Sequence, residues 1–152
     1  MTDNIPLAVA YYMNGANFRS SAEKLSHDLE VDGHGRPTKL TAIPMYFLAS
    51  QAAELFLKAA LLKRGFAEAD LRTHDYRHNL GALLMELKNR RVSVSTDTAA
   101  VVAGLSEQHE RHQLRYTVLV DDGTNTFWPP LPSIFLALEE LLLLTRLSTH
   151  GV

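Results

Sequence analysis

Apolar and polar positions follow a helical period along most of the chain, and the run at residues 45–62 is the extreme case. Its only clearly polar residues are Ser50, Gln51, Glu54 and Lys58. At about 100° per residue these share little more than a quarter of the circumference, so the spacing predicts a helix that is apolar on its other three sides. Such a helix is surrounded by other helices. Its polar stripe faces either water or a buried polar site.

The same period organises the flanking segments. Asn4 caps and Pro6 starts a first helix, along which Tyr11, Gly15, Phe18, Ala22, Leu25 and Leu29 recur at spacings of four and three. Two glycines and a proline in residues 32–38 break it, Thr41 and Pro44 lead into the central helix, and Gly65 ends that helix. The first two helices then pack antiparallel. Asp75 or Asn79 caps a third, shorter helix whose stripe is Leu80, Leu83, Leu84 and Leu87, followed by the dipole-matched Lys88, Arg90 and Arg91.

After the polar connection at 93–97, Val102, Leu105, His109, His112 and Tyr116 mark a fourth helix whose inward seam turns from aliphatic to histidine. Residues 117–128 combine a β-rich run with Asp121, Asp122 and Gly123, and read as a short hairpin or an ordered loop. Pro129, Pro130 and Pro132 preset the start of a last, strongly apolar helix over 134–147. The expected fold is all-α: an up-and-down bundle of about five helices, with a possible short β-hairpin between the last two.

At 152 residues the chain is expected to form a single domain, 1–152, and neither repeats nor low-complexity tracts divide it. A net charge of -2 and a pI near 6.4 give no general pull toward nucleic acid, so such binding needs a local patch. The absence of cysteine excludes disulfide scaffolds, thiolate zinc sites and cysteine nucleophiles, and agrees with a reducing cytoplasm. Residues 1–6 carry no basic residue and do not read as a secretory signal. Residues 42–62 are long enough to span a bilayer, but Glu54 and Lys58 are expensive in lipid, so a cytoplasmic location without membrane attachment is expected.

Glu54 and Lys58, four apart with the acid first, form either an exposed helical ion pair worth a few tenths of a kcal/mol or an inward pair neutralised from a neighbouring helix. His109 and His112, on the inward seam of the fourth helix, are the candidate neutralising partners. Together with Glu54 they have the donor types of a zinc or iron site. The Glu-x-x-His pairs of di-iron bundles do not occur, however, and neither a metal nor another cofactor is expected. A glycine-rich phosphate loop, a serine elbow and a zinc-protease histidine pair are likewise missing from the sequence.

The string Leu48-Ala49-Ser50-Gln51-Ala52-Ala53-Glu54-Leu55-Phe56-Leu57-Lys58, followed by His78-Asn79-Leu80 and Leu114-Arg115-Tyr116, resembles the HEPN domain (higher eukaryote and prokaryote nucleotide-binding). The likeness covers residues 42–116 and extends loosely to the flanking helices. It implies a bundle of four or five helices, frequent homodimers, and roles in toxin-antitoxin, phage-defence or RNA-processing systems, sometimes beside a nucleotidyltransferase-type partner. Many members are metal-independent ribonucleases that place an arginine and a histidine, four to six residues apart, across a dimer cleft. Arg72 and His78, with five residues between, fit that spacing. They stand around the start of the third helix and not in a late one, and Thr73 is an imperfect match for the polar residue that follows the arginine.

The leading expectation is therefore a HEPN-like module that dimerises and binds a nucleotide, an RNA segment or a partner protein. Its polar groove consists of Glu54, Lys58, His78, Arg115 and Tyr116, lined by His109 and His112. Lys58 and Arg115 contact phosphate, Tyr116 stacks on a base, and Glu54 orients the cations. One alternative is a metal-independent ribonuclease in which His78 is the general acid or base and Arg72 stabilises the developing charge. The other is a purely structural partner protein.

Overall fold

The apolar run becomes the central helix, α2 (Ile43–Lys63), of a computed structural model that describes residues 5–73, 75–110 and 129–146, with backbone alone at 108–110. Around it lie α1 (Ile5–Ser26), the one-turn α3 (Glu68–Leu71), α4 (Leu80–Asn89), α5 (Thr96–Glu110) and α6 (Leu131–Arg146). The protein is an all-α bundle. The hairpin expected at 117–128, the cap at Asn4, and His112, Arg115 and Tyr116 lie outside the described residues, as does the side chain of His109.

Helix α2 touches α1, α4, α5 and α6, and most of its residues are buried. With its preceding 3-10 turn it is long and apolar enough to cross a membrane, yet 56% of that apolar window is buried inside the bundle. Helix α1 approaches most closely where Gly15 faces Phe56: a Cβ there would lie 2.8 Å from the ring. The seam of α1 ends earlier than its spacing suggests. The last hydrogen bonds tighten, from His27 to Lys24 and from Leu29 to Ser26, the helix stops at Ser26, and Leu25 is exposed.

The helix ends explain how the elements meet. Gly65, at φ 85°, closes α2 in a Schellman motif, with the Phe66 amide donating to the Leu61 carbonyl and the Gly65 amide to that of Leu62. Helix α4 starts at Asn79, whose side chain accepts from the Ala82 amide at 3.0 Å, and so settles the choice between Asp75 and Asn79. It closes in the same motif as α2, but with Arg91 at φ 65° in the place of glycine. The start of α6 is tied down by the Tyr46 hydroxyl, which donates to the Pro129 carbonyl, and by the Leu131 amide, which donates to the Gly35 carbonyl.

Helix α5 begins with a capping box assembled across the fold. Ser95 accepts from the Thr98 amide, and the acid that accepts from the Ser95 amide at 2.7 Å is Glu140 of α6. Neighbours α1 and α2, α4 and α5, and α5 and α6 alternate in direction. Helices α2 and α4 instead run the same way, since His78 reaches Glu54 at one end while Arg90 reaches the Arg64 carbonyl at the other. Residues 64–79 climb back along the bundle, which brings His78 against the middle of α2.

Candidate functional site

Glu54 stands midway along α2 with its side chain 4% exposed. A carboxylate so buried must be compensated by charge and hydrogen bonds. One oxygen, Oε1, carries both: His78 Nδ1 lies 3.0 Å away and the Lys58 ammonium 3.6 Å away. At Glu54 the polar stripe of α2 is therefore turned inward, toward the segment that leads into α4. His78, from the approach to α4, is one partner of this carboxylate; His109 and His112, the partners expected from the helical period, lie outside the described side chains.

His78 gets there through an unusual backbone. It sits at φ 58°, in the left-handed region that few residues other than glycine, asparagine and aspartate adopt, at the end of a turn over 75–78 and just before the Asn79 cap. An ionised carboxylate only accepts, so with Glu54 ionised the His78 Nδ1 is the donor in this contact. The imidazole is 29% exposed and Lys58 15%. Both groups can be reached from solvent while their shared anchor cannot.

The surroundings extend the site. Arg72 follows α3, is exposed, and is held in an ion pair by Glu68 one turn earlier. Tyr11 of α1 links this pair to the central carboxylate: burial raises its phenol above the ordinary value, Glu68 and Glu54 raise it further, and Arg72 opposes them. Arg77 is exposed beside His78, and its side chain forms no hydrogen bond or ion pair among the described residues. Neither Tyr11 nor Arg77 has a signal in the sequence. Tyr11 reads as one more seam position, and Arg77 lies in a turn without periodicity.

Ser50, one turn before Glu54 on the same stripe, is wholly buried, and its hydroxyl has no hydrogen-bond partner among the described residues. A cleft of about 340 Å³ lies elsewhere, between α5 and α6, lined by Asp97, Val101, Pro130, Leu136 and Glu140. Its polar wall is already used in capping α5. Among the described residues no group of three His, Asp or Glu side chains is arranged to hold a metal ion. Comparison of the chain with protein-family models, with curated proteins and with solved structures gives no match.

Proposed function

We propose that this chain is a HEPN-like helical binding module that takes a phosphate-bearing ligand, a nucleotide or RNA, at the pocket formed by Glu54, Lys58 and His78. The observation that carries the reading is one buried carboxylate oxygen shared by a partly exposed ammonium and a partly exposed imidazole. When His78 is protonated the trio carries a net positive charge, and Arg77 adds another at its rim. Such an arrangement fits an anion with hydrogen-bond acceptors on several sides, and Glu54 preorganises the donors. The HEPN likeness adds Arg115 as a phosphate contact and Tyr116 as a stacking partner for a base, both outside the described residues. The module works as a homodimer in the cytoplasm, in a toxin-antitoxin, defence or RNA-processing setting, with a nucleotidyltransferase-type protein as its candidate partner.

The test is calorimetric titration of AMP into wild type and into Lys58→Ala and His78→Asn, the latter keeping a residue tolerant of positive φ. Each substitution is expected to weaken binding about tenfold, the loss of one charge-assisted hydrogen bond. Neither nucleotide nor RNA binding by the wild type, or equal affinities in all three proteins, leaves a purely structural role.

A second reading has its own support. A histidine whose Nδ1 is tied to a buried carboxylate is arranged as in acid–base catalysis, which favours a metal-independent ribonuclease centred on His78. Arg72, its charge-stabilising candidate, is engaged by Glu68 and exposed, which supports binding over cleavage. Cleavage of total RNA in a chelator, abolished in His78→Ala, is the outcome that would promote this reading.

A further inference from the structure

The outward side of a surface helix is normally charged, yet residues 5–18 of α1 contain no charged side chain. Three of them, Ile5, Val9 and Met13, recur every four residues and are 45%, 42% and 58% exposed. On α6, Leu136 and Leu143, two turns apart, are 72% and 42% exposed. Single apolar residues at a surface are ordinary, so what matters is whether these five adjoin.

They do, because α1 and α6 lie side by side. Arg19 pairs with Glu139 at 2.6 Å, and the Arg146 guanidinium donates to the Tyr12 hydroxyl at 2.9 Å. The two contacts are separated by the same two turns on each helix, so the helices run antiparallel and stay in register. Around α1, Ile5, Val9 and Met13 lie about 20° to 100° from Tyr12, on the side away from the buried Ala8, Gly15 and Ala22. Around α6, Leu136 and Leu143 lie about 40° to 60° from Glu139, on the side away from the buried Leu138, Leu142 and Thr145. Antiparallel helices wind in opposite senses when viewed from one end, which brings both sets onto a single outer face. That face measures about 24 by 20 Å, the length of α6 by two helix diameters. With side-chain relief it approaches the roughly 800 Å² that a standard interface takes from each partner.

Charge decides which partner fits. Helices α1 and α6 carry Arg19, Lys24 and Arg146 against Glu23, Glu139 and Glu140, which balance. A neutral face gives an anionic lipid surface, an acidic protein or a basic one no electrostatic advantage, whereas a second copy brings the same balance and no repulsion. Half-turn symmetry lays one antiparallel helix pair on another and closes a four-helix contact, with the charge-free turns of α1 at its centre. We infer that this face joins two copies of the chain back to back. On α1, Tyr11 is about 160° away from both Val9 and Met13, and Tyr11 is the residue whose phenol senses Glu54 and Glu68. The pockets of Glu54, Lys58 and His78 therefore open away from the contact, and each is built within one chain. This arrangement gives the proposed homodimer its contact face and departs from the shared cleft that the HEPN likeness implies.

The experiment is sedimentation equilibrium, from about 1 to 100 µM, of wild type, Met13→Glu, Leu136→Glu and, at the pocket rim, Arg77→Glu. The wild type is expected to be a dimer over most of that range. Either glutamate on the face, buried against a second copy, should raise the dimer dissociation constant about 100-fold, and Arg77→Glu should leave it within about twofold. All four proteins should have the same helix content by circular dichroism, because the substituted positions are exposed. AMP should bind Leu136→Glu as it binds wild type, at one site per chain. A monomeric wild type overturns the inference, and one that also pellets with phosphatidylglycerol vesicles assigns the face to lipid. A dimer that survives both face substitutions, or that Arg77→Glu dissolves, overturns it and leaves a homodimer built on another face. AMP binding that is lost in Leu136→Glu overturns it as well, since the site would then span two chains. A dimer that behaves as expected but binds no AMP upholds the face and removes the pocket reading alone.

Discussion

His78 meets Glu54 across 24 residues of sequence, its Nδ1 3.0 Å from the carboxylate oxygen that also faces Lys58. An ammonium and an imidazole thus share one buried carboxylate oxygen. Removing that anion costs more than its own hydrogen bonds, because Lys58 and His78 stay close together in a poorly hydrated place. Glu54→Ala is expected to destabilise the fold by about 2–3 kcal/mol, and Glu54→Gln, which keeps an acceptor and the volume, by about 1 kcal/mol. Urea unfolding measures both. Equal small losses would mean that the stripe is hydrated and the pair unimportant to folding.

The backbone of His78 separates stability from binding. His78→Gly loses the contact with Glu54 but relieves the positive φ, so the two effects nearly cancel. His78→Ala loses the same contact and keeps the strain. The glycine variant is expected to be more stable than the alanine variant by about 1 kcal/mol, with both impaired in AMP binding. An alanine variant as stable as the glycine one would argue against the left-handed geometry.

These relationships show where the sequence could be read and where it could not. The burial of α2 follows from one periodic signal, since an apolar surface on three sides of a helix has no other stable environment. The inward face of Glu54 and Lys58 was legible only as one of two choices. Its resolution depends on His78, which sits in a turn, and turns have no period to place a side chain. For the same reason Arg77 and the left-handed Arg91 carry no signal, although the glycine closing α2 in the same motif is plain at Gly65. Glu140 is a further case: its partners Ser95 and Thr98 lie more than 40 residues away, and a cap supplied by another helix leaves no mark in the local sequence.

The contact of α1 with α2 gives a packing prediction. Alanine at position 15 would gain helix propensity worth just under about 1 kcal/mol, but its Cβ would sit 2.8 Å from the fully buried ring of Phe56 and 3.3 Å from the Leu55 Cβ. Forcing a methyl group into such a space costs about 1–3 kcal/mol, so Gly15→Ala should be net destabilising by about 1 kcal/mol. Pairing it with Phe56→Leu should recover part of the loss in a double-mutant cycle. A stabilised single variant would show that the two helices can move apart at no cost.

The carboxylate of Glu140 makes the start of α5 sensitive to acid. Partial burial pushes it up, but the Thr98 hydroxyl and the Ser95 amide and hydroxyl donate to its charged form, and the balance holds it below the ordinary carboxylate value. A group depressed in the folded state contributes stability that is complete above its unfolded pKa, near 4.5 for this side chain, and is lost as the pH falls through the lower folded value. Glu140→Gln replaces the charge-assisted bonds with neutral ones and should cost about 1 kcal/mol at neutral pH. The gap between wild type and variant in urea midpoint should therefore stay constant from pH 7 to about pH 5 and narrow steadily below that. Thr98→Val, which removes one donor, should give a smaller gap with the same pH dependence. A gap that widens in acid would mean that the carboxyl is bound in its protonated form.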